Sequence, residues 1–425
     1  MPFDFSSKER IAIIGGGVSG MAAAYELSPH RNVTLFEAST RLGGHARTVM
    51  AGAENNIAVD TGFIVFNYPN YPNLTRMFAE LEVPVKKSNM NFSASIAGGK
   101  IEYGLRSFRA LFAQKRNLLR PAFWRMLADI ARFNKHALAM SNDPGLSVAG
   151  LLKKMKLGRW FRDYYLLPIS GAIWSSTPAQ IAHYPARSLV RFFENHALLT
   201  TNNHLWYTVD GGSIEYVKRM AKAIEGRGGT ILTGAPVRAV SRHEAEVTLT
   251  TTRGETHSFD QVIFACHSDD ALKLIAAPTR EESAILSSIR YQDNRAVLHG
   301  DESQMPKRKA CWSSWVFQSV DDSPAPAIGI TYWMNALQGI DAASPLFVTL
   351  NPQRKIRPEK IFEETIFRHP IFDRAAVAAQ PKLQAIQGEN RTWFCGAYAR
   401  HGFHEDGYAS AMMVTEKLRR KVAPK

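Results

Sequence analysis

The chain has 425 residues, 45% hydrophobic and 21% charged, with 52 Lys and Arg against 38 Asp and Glu. This excludes a disordered chain, and the length allows two or three cores. The formal net charge of +14 suits a polyanionic partner, although plain solubility also accounts for it. Cys266, Cys311 and Cys395 are far apart and form no CxxC, which argues against zinc or a disulfide framework and for a reducing compartment. No run reaches ~18 apolar residues, so no spanning helix is expected. The first residues lack the pattern of a secretory signal. The expected location is cytoplasmic.

The stretch "RIAIIGGGVSGMAAAYELSPHRNVTLFEAS" reads as strand, glycine turn, helix and strand. Gly15, Gly17 and Gly20 form G-x-G-x-x-G, with Ser19 inside it. Gly15 permits the tight turn, Gly17 a close backbone approach to a pyrophosphate, and Gly20 close helix–strand packing. The helix from Met21 to Leu27 turns its free N–H groups toward the phosphates. Glu37, followed by Ala38, ends the second strand where a ribose hydroxyl is bound. Strand, helix, second strand and acid together supply the context this motif requires.

The next segment, "EASTRLGGHARTV", resembles the signature of the flavin-containing amine oxidase superfamily: an acid, then Arg-x-Gly-Gly-Arg. Arg41, Gly43 and Gly44 match, and His45 stands where the family has its second arginine; Arg47 is the alternative. The resemblance implies noncovalent FAD, with Arg41 neutralising its diphosphate. "AVDTGFIVFN" resembles the next element, with Gly62 and Phe63 passing near the flavin and a helix around 74–81. Gly211–Gly212 then precede a helix carrying Ile214, Val217, Met220 and Ile224 at helical spacing. "TILTGAPVRAV" returns as one strand, on which the resemblance assigns Val237 a backbone contact to the adenine. "VTLTTTRGETHSFDQVIFACH" reads as a hairpin turning at Arg253–Gly254, followed by a buried strand. Near the end, "FCGAYARHGFHEDGYASAMMV" resembles the last part of the family's flavin site. Gly396 makes a turn, and Gly407, Tyr408 and Ala409 open a helix aimed at the flavin pyrimidine. His404, Glu405 and Tyr398 are the titratable groups expected there and the catalytic candidates, one of them taking the substrate's proton; the alternative for Glu405 and Asp406 is to cap this last helix.

The expected fold is therefore α/β with an α+β substrate part: a Rossmann-type FAD-binding domain in discontinuous segments, with an inserted amine-oxidase-like substrate domain. Residues 1–85, 205–275 and 385–425 belong to the FAD domain, and 86–204 and 276–384 to the substrate domain. The second region opens with eleven Lys and Arg between 86 and 135 against Glu102 and Asp129. Leu105, Phe108, Leu111 and Phe112 share a helical face among these cations, and Pro121 starts a second helix. A basic amphipathic helix suits an anionic membrane surface, on the inner face of the cell membrane; a solvated basic face is the alternative. No nucleic-acid module accompanies the charge. The apolar stretch 164–199 is a candidate wall of a long apolar pocket, structural core being the simpler reading of most of its side chains; His196, also a catalytic candidate, and Trp206 are the picks for that pocket.

"LGGHARTV", "DTGFIVFN", "WYTVDGGS" and "GFHEDGYASA" resemble a bacterial branch of predicted FAD-binding proteins that accompany cyclopropane-fatty-acid-synthase-like methyltransferases. The branch implies a fatty-acyl lipid substrate and such a methyltransferase as partner. A flavin takes hydride at N5 only from an activated C–H bond. For an acyl chain that is the allylic position of an unsaturated or methyl-branched chain, giving dehydrogenation. Amine or porphyrinogen oxidation, double-bond isomerisation and non-catalytic lipid binding are the alternatives. No lysine is found that matches the one amine oxidases keep near N5.

Overall fold

The structure, a computed structural model, describes residues 8–143, 145–174, 176–196, 198–199, 205–320 and 329–421. The domain edge expected at 204 and both chain ends lie outside them. Five parallel strands form one sheet in the order Thr392–Phe394, Gln261–Phe264, Arg10–Ile14, Asn32–Phe36, Thr230–Leu232. The central strand is covered on both faces, which explains its unbroken apolar run. Ile11 and Ile13 pack with the helices Val18–Leu27, Ile214–Gly226 and His404–Lys421. Ala12 and Ile14 face the opposite cluster, shared with an antiparallel sheet of Val237–Arg242, Val247–Thr251 and Thr256–Phe259.

The expected single strand "TILTGAPVRAV" is in fact two. Thr230–Leu232 joins the parallel sheet, whereas Val237–Arg242 belongs to the antiparallel one. Gly234 turns the chain at φ +61°, and Pro236 has no N–H to continue a ladder. The break gives the segment a new direction beside Glu37, where the Ala235 N–H donates to the Glu37 carbonyl at 2.9 Å.

A second, seven-stranded sheet takes its strands from 92–104 and 290–371. It is antiparallel apart from the parallel pairing of Phe92–Ile96 with Trp315–Gln318. Helices between Pro121 and Asn195 pack with it around Phe123, Phe133, Phe161 and Phe193, all fully buried. The basic amphipathic helix expected after Leu105 does not form. One turn, Phe108–Leu111, is followed by the 3-10 segment Lys115–Leu119 and then by the helix Pro121–Met140. Gln114 and Asn117 hold the chain to the neighbouring strand: Gln114 Oε1 accepts from the Glu102 N–H at 3.3 Å, and Asn117 Nδ2 donates to the Glu102 carbonyl at 3.1 Å. A short helix is marginal by itself, so these tertiary bonds prevail. Pro121 does open a helix, as expected.

Candidate functional site

The glycine turn is built where backbone must pass backbone. Gly15 has φ +113°, and a Cβ there would lie 2.9 Å from the Ala265 carbonyl oxygen; a Cβ on Gly20 would stand 1.8 Å from the Gly15 oxygen. The helix Val18–Leu27 starts at Gly17 with no side-chain cap and no acid in its first turn. Its first N–H groups and positive dipole end are thus left for an anion. A second glycine loop lies against the first. The Gly43 N–H donates to the Gly16 carbonyl at 2.8 Å, and Gly17 and Gly43 form a β-bridge. A Cβ on Gly44 would reach 3.0 Å from Gly17 Cα.

The Arg41 guanidinium donates to the Gly44 carbonyl at 2.9 Å and shapes this loop while remaining exposed. Glu37 Oε2 accepts from the Gly16 N–H at 2.6 Å, and Oε1 from the Ser39 N–H at 2.8 Å. The acid therefore sits at the lip of the glycine turn. Ala38 follows it, and Val237 begins the strand reached through Ala235.

The C-terminal motif completes this site. A Cβ on Gly407 would stand 2.8 Å from Ser19 Oγ and 2.9 Å from Val18 Cγ1. The bare glycine lets the last helix touch the first turn of the first one. The Gly396 N–H donates to Ser410 Oγ at 2.7 Å. Ala409 is partly exposed on the open side, but Tyr408 is fully buried, its hydroxyl 3.4 Å from Glu26 Oε1 in the helix interface.

His404 stacks on Phe63 with ring centroids 4.0 Å apart, and its Nε2 lies 3.1 Å from the Tyr216 hydroxyl. Tyr216 was missed because its helix showed an aliphatic face at helical spacing, and a tyrosine within it carries no separate signal. Burial pushes the His404 imidazolium down to about 3, so the ring is neutral near neutral pH. Phe63 is held by its N–H to the His45 carbonyl at 2.8 Å, and a Cβ on Gly62 would collide with that carbonyl at 2.0 Å.

The other candidates are placed differently. Glu405 caps the helix Pro72–Glu80: Oε1 accepts from the Asn73 N–H at 3.1 Å and Nδ2 at 2.6 Å, and Oε2 from the Leu74 N–H at 3.0 Å. Tyr398 lies in a separate cluster near Tyr291, Cys395 and Cys266; among the described residues its buried hydroxyl has no hydrogen-bond partner, and burial pushes the phenol well up. His196 stacks on Phe192 at 3.8 Å and approaches Phe403, the neighbour of His404, at 5.8 Å. Trp206 opens the strand Trp206–Val209, paired with Val85–Ser88.

His45 takes part in a histidine cluster that sequence spacing could not show. Its ring stacks on Phe367 at 4.9 Å and lies 5.3 Å from His369 and 6.1 Å from His267. His369 Nδ1 is 3.1 Å from Asn294 Nδ2. Burial and the neighbouring histidines push the His45 imidazolium well down, and burial first brings His369 to about 4. Among the described residues His45 Nε2 is buried without a hydrogen-bond partner. Arg47 forms a bidentate pair with Glu363 and does not replace the missing second arginine. Asp269 and Asp270, beside His267, are neutralised by Arg368 and Lys273.

These residues fit a flavin dinucleotide. The uncapped helix end and paired glycine loops would hold the diphosphate, Glu37 the ribose, and the orphaned His45 nitrogen one further polar atom. The profile of the flavin containing amine oxidoreductase family matches residues 18–298, about two thirds of the chain, and the protein belongs to that family. The cofactor that this membership supports is FAD. Protoporphyrinogen oxidase 2 of Arabidopsis thaliana is 51% identical over 57 residues, 13% of this chain and 11% of that protein. A probable zeta-carotene desaturase of Synechococcus elongatus is 24% identical over 268 residues, covering 58% of this chain and 53% of the relative. The chain thus spans from about a tenth to about half of these curated relatives. The crystal structure of a CLA-producing fatty acid isomerase from P. acnes superposes with a TM-score of 0.69 at 14% identity, covering 99% of this chain and 100% of the other. Among the described residues no helix is long and apolar enough to cross a membrane.

Proposed function

We propose that the protein oxidises an apolar, acyl-type substrate at an allylic C–H bond. The observation that carries this is the wall beside His404. Trp174 meets Phe192 at 4.7 Å, and Phe192 stacks on Phe403 at 4.8 Å. In this reading the buried row lines the substrate's path, where a hydrocarbon packs on rings and meets little water. The adjacent carboxylate, Asp406, is turned onto the backbone N–H groups of His401 and Phe403 at 3.2 and 3.0 Å, so it is poorly placed to pair with an ammonium substrate. Similarity to a relative named as a carotene desaturase and to the fold of a fatty acid isomerase supports the same class.

Bound FAD supplies the two-electron acceptor that such a substrate needs. Of the two hydrogens lost, one leaves as the hydride that FAD would take and the other as a proton released to bulk solvent, while the chain's own residues bind and orient the substrate. His404, neutral and bonded to Tyr216, fixes Phe63 in place. Burial holds its imidazolium down to about 3, so in this reading the neutral ring serves to orient. The test is anaerobic mixing of the holoenzyme with unsaturated acyl lipids and, separately, with primary amines. Bleaching of the flavin absorbance by the lipids is expected. Bleaching by the amines alone overturns the proposal. Lipid mass spectrometry of cells with and without the gene then identifies the product: loss of two hydrogen atoms indicates dehydrogenation, and a shifted double bond at unchanged mass indicates isomerisation.

A further inference from the structure

The segment that fails to form an amphipathic helix instead presents an uncovered face of mixed apolar and basic character. Phe108 is 76% exposed and Leu119 86%, with Trp124 half exposed between them. They form one patch: Phe112 bridges Phe108 at 5.0 Å and Trp124 at 5.3 Å, and Trp124 Nε1 donates to the Leu118 carbonyl at 2.9 Å. Between Glu102 and Asp129 the sequence holds six Lys and Arg and no acid. Arg106, Arg109, Lys115 and Arg116 are exposed, and among the described residues none of them is within ion-pair distance of a carboxylate. Leu119 also borders a cleft of about 470 Å³, where Lys100, Arg120 and Arg159 stand beside Trp160. The Arg120 guanidinium lies 6.0 Å over the Trp160 ring.

We propose that this face docks on an anionic lipid leaflet, with Phe108, Leu119 and Trp124 entering the headgroup layer and the surrounding cations meeting lipid phosphates. Apolar burial and attraction to anionic lipid add at such a surface, and an exposed apolar patch ringed by charge marks an interaction site. Charge complementarity selects the occupant. A second copy of this chain would set the same cations against each other across a two-fold contact. A nucleic acid would meet the cations but leave Phe108 and Leu119 unused. The inference is independent of the reaction, because docking needs no turnover.

Co-sedimentation of the holoenzyme with vesicles tests it. Binding is expected to mixed phosphatidylcholine–phosphatidylglycerol vesicles, to be released by high salt, and to be absent with phosphatidylcholine alone. Removing one cation should weaken binding roughly fivefold, so combining Arg106→Glu, Arg109→Glu and Lys115→Glu should weaken it roughly a hundredfold or more. Phe108→Ser with Leu119→Ser should weaken it at unchanged salt dependence. Bound FAD and thermal midpoint serve as folding controls. Hydrogen exchange on the unaltered protein gives a second readout, with protection of 105–125 expected only with anionic vesicles. Failure to bind them, equal binding to neutral vesicles, undiminished binding by the variants, or protection of this segment by duplex DNA but not by vesicles overturns the proposal.

Discussion

Glu405 separates a proton-accepting role from a structural one. Its two oxygens accept three bonds from Asn73 and Leu74, at 2.6 to 3.1 Å. All three donors lie at the start of the helix Pro72–Glu80, whose preceding residue, Tyr71, makes no side-chain cap bond. Glu405→Gln keeps the shape and one acceptor oxygen. If that oxygen stays with Asn73, an amide NH₂ faces the Leu74 N–H, leaving a buried donor unsatisfied. Losing one charge-assisted bond costs about 1.5–3 kcal/mol, and removing the negative charge from the helix N-terminus adds up to ~1 kcal/mol. The expected loss is therefore about 2–4 kcal/mol, a lowering of the thermal midpoint by several degrees. The rate of flavin reduction by substrate should change less than about threefold. Thermal unfolding followed by FAD fluorescence and stopped-flow reduction measure the two quantities. A rate loss of about a hundredfold or more at unchanged midpoint, typical of a lost general base, would refute the capping argument and make Glu405 the proton acceptor.

Gly20→Ala places a methyl 1.8 Å from the Gly15 oxygen, where neither backbone can yield. The purified protein should carry less than about a tenth of its FAD, read from the ratio of visible to ultraviolet absorbance, because the turn that holds the diphosphate must open. His404→Gln can keep a bond to Tyr216, and since His404 is neutral above about pH 3, the pH profile of flavin reduction should keep its shape. Loss of an inflection near 6.5 in the variant would contradict this. His299 and His369 have imidazolium groups held at about 4 by burial against 6.5 unfolded. Each contributes on the order of 3 kcal/mol that is complete above pH 6.5 and lost as pH falls toward 4. The thermal midpoint should drop steeply over that window, and a flat profile counts against it. Asp60 works in the opposite sense. Burial raises its carboxyl from 3.8 to about 6 despite bonds from Thr48 and Ser213. Its contribution, on the order of 3 kcal/mol, is complete below pH 3.8 and lost as pH rises to about 6. Asp60→Asn should remove that component from the pH profile of the midpoint.

The nucleotide half can be read from local pattern alone. Gly15, Gly20, Gly43 and Gly44 are legible because a tight turn or a backbone approach leaves no room for a side chain, and that demand is local. The strands Arg10–Ile14 and Gln261–Phe264 are legible because a strand covered on both faces must be apolar throughout. Tertiary structure decided the rest. Gly407 meets Ser19 only because the parallel sheet brings Thr392–Phe394 alongside Gln261–Phe264, across most of the chain. Glu405 looked like a titratable group beside the flavin, yet it caps a helix some 330 residues away in sequence, a partner no spacing rule can supply. The histidine cluster around His45 brings together a turn, a helix N-cap and a strand from three separate regions. The periodicity of 105–120 implied a helix, but the buried amides of Gln114 and Asn117 found better partners on Glu102. A side chain's local pattern records which faces must be covered; which distant group covers them, and therefore which titratable residue remains available for chemistry, is settled only by packing.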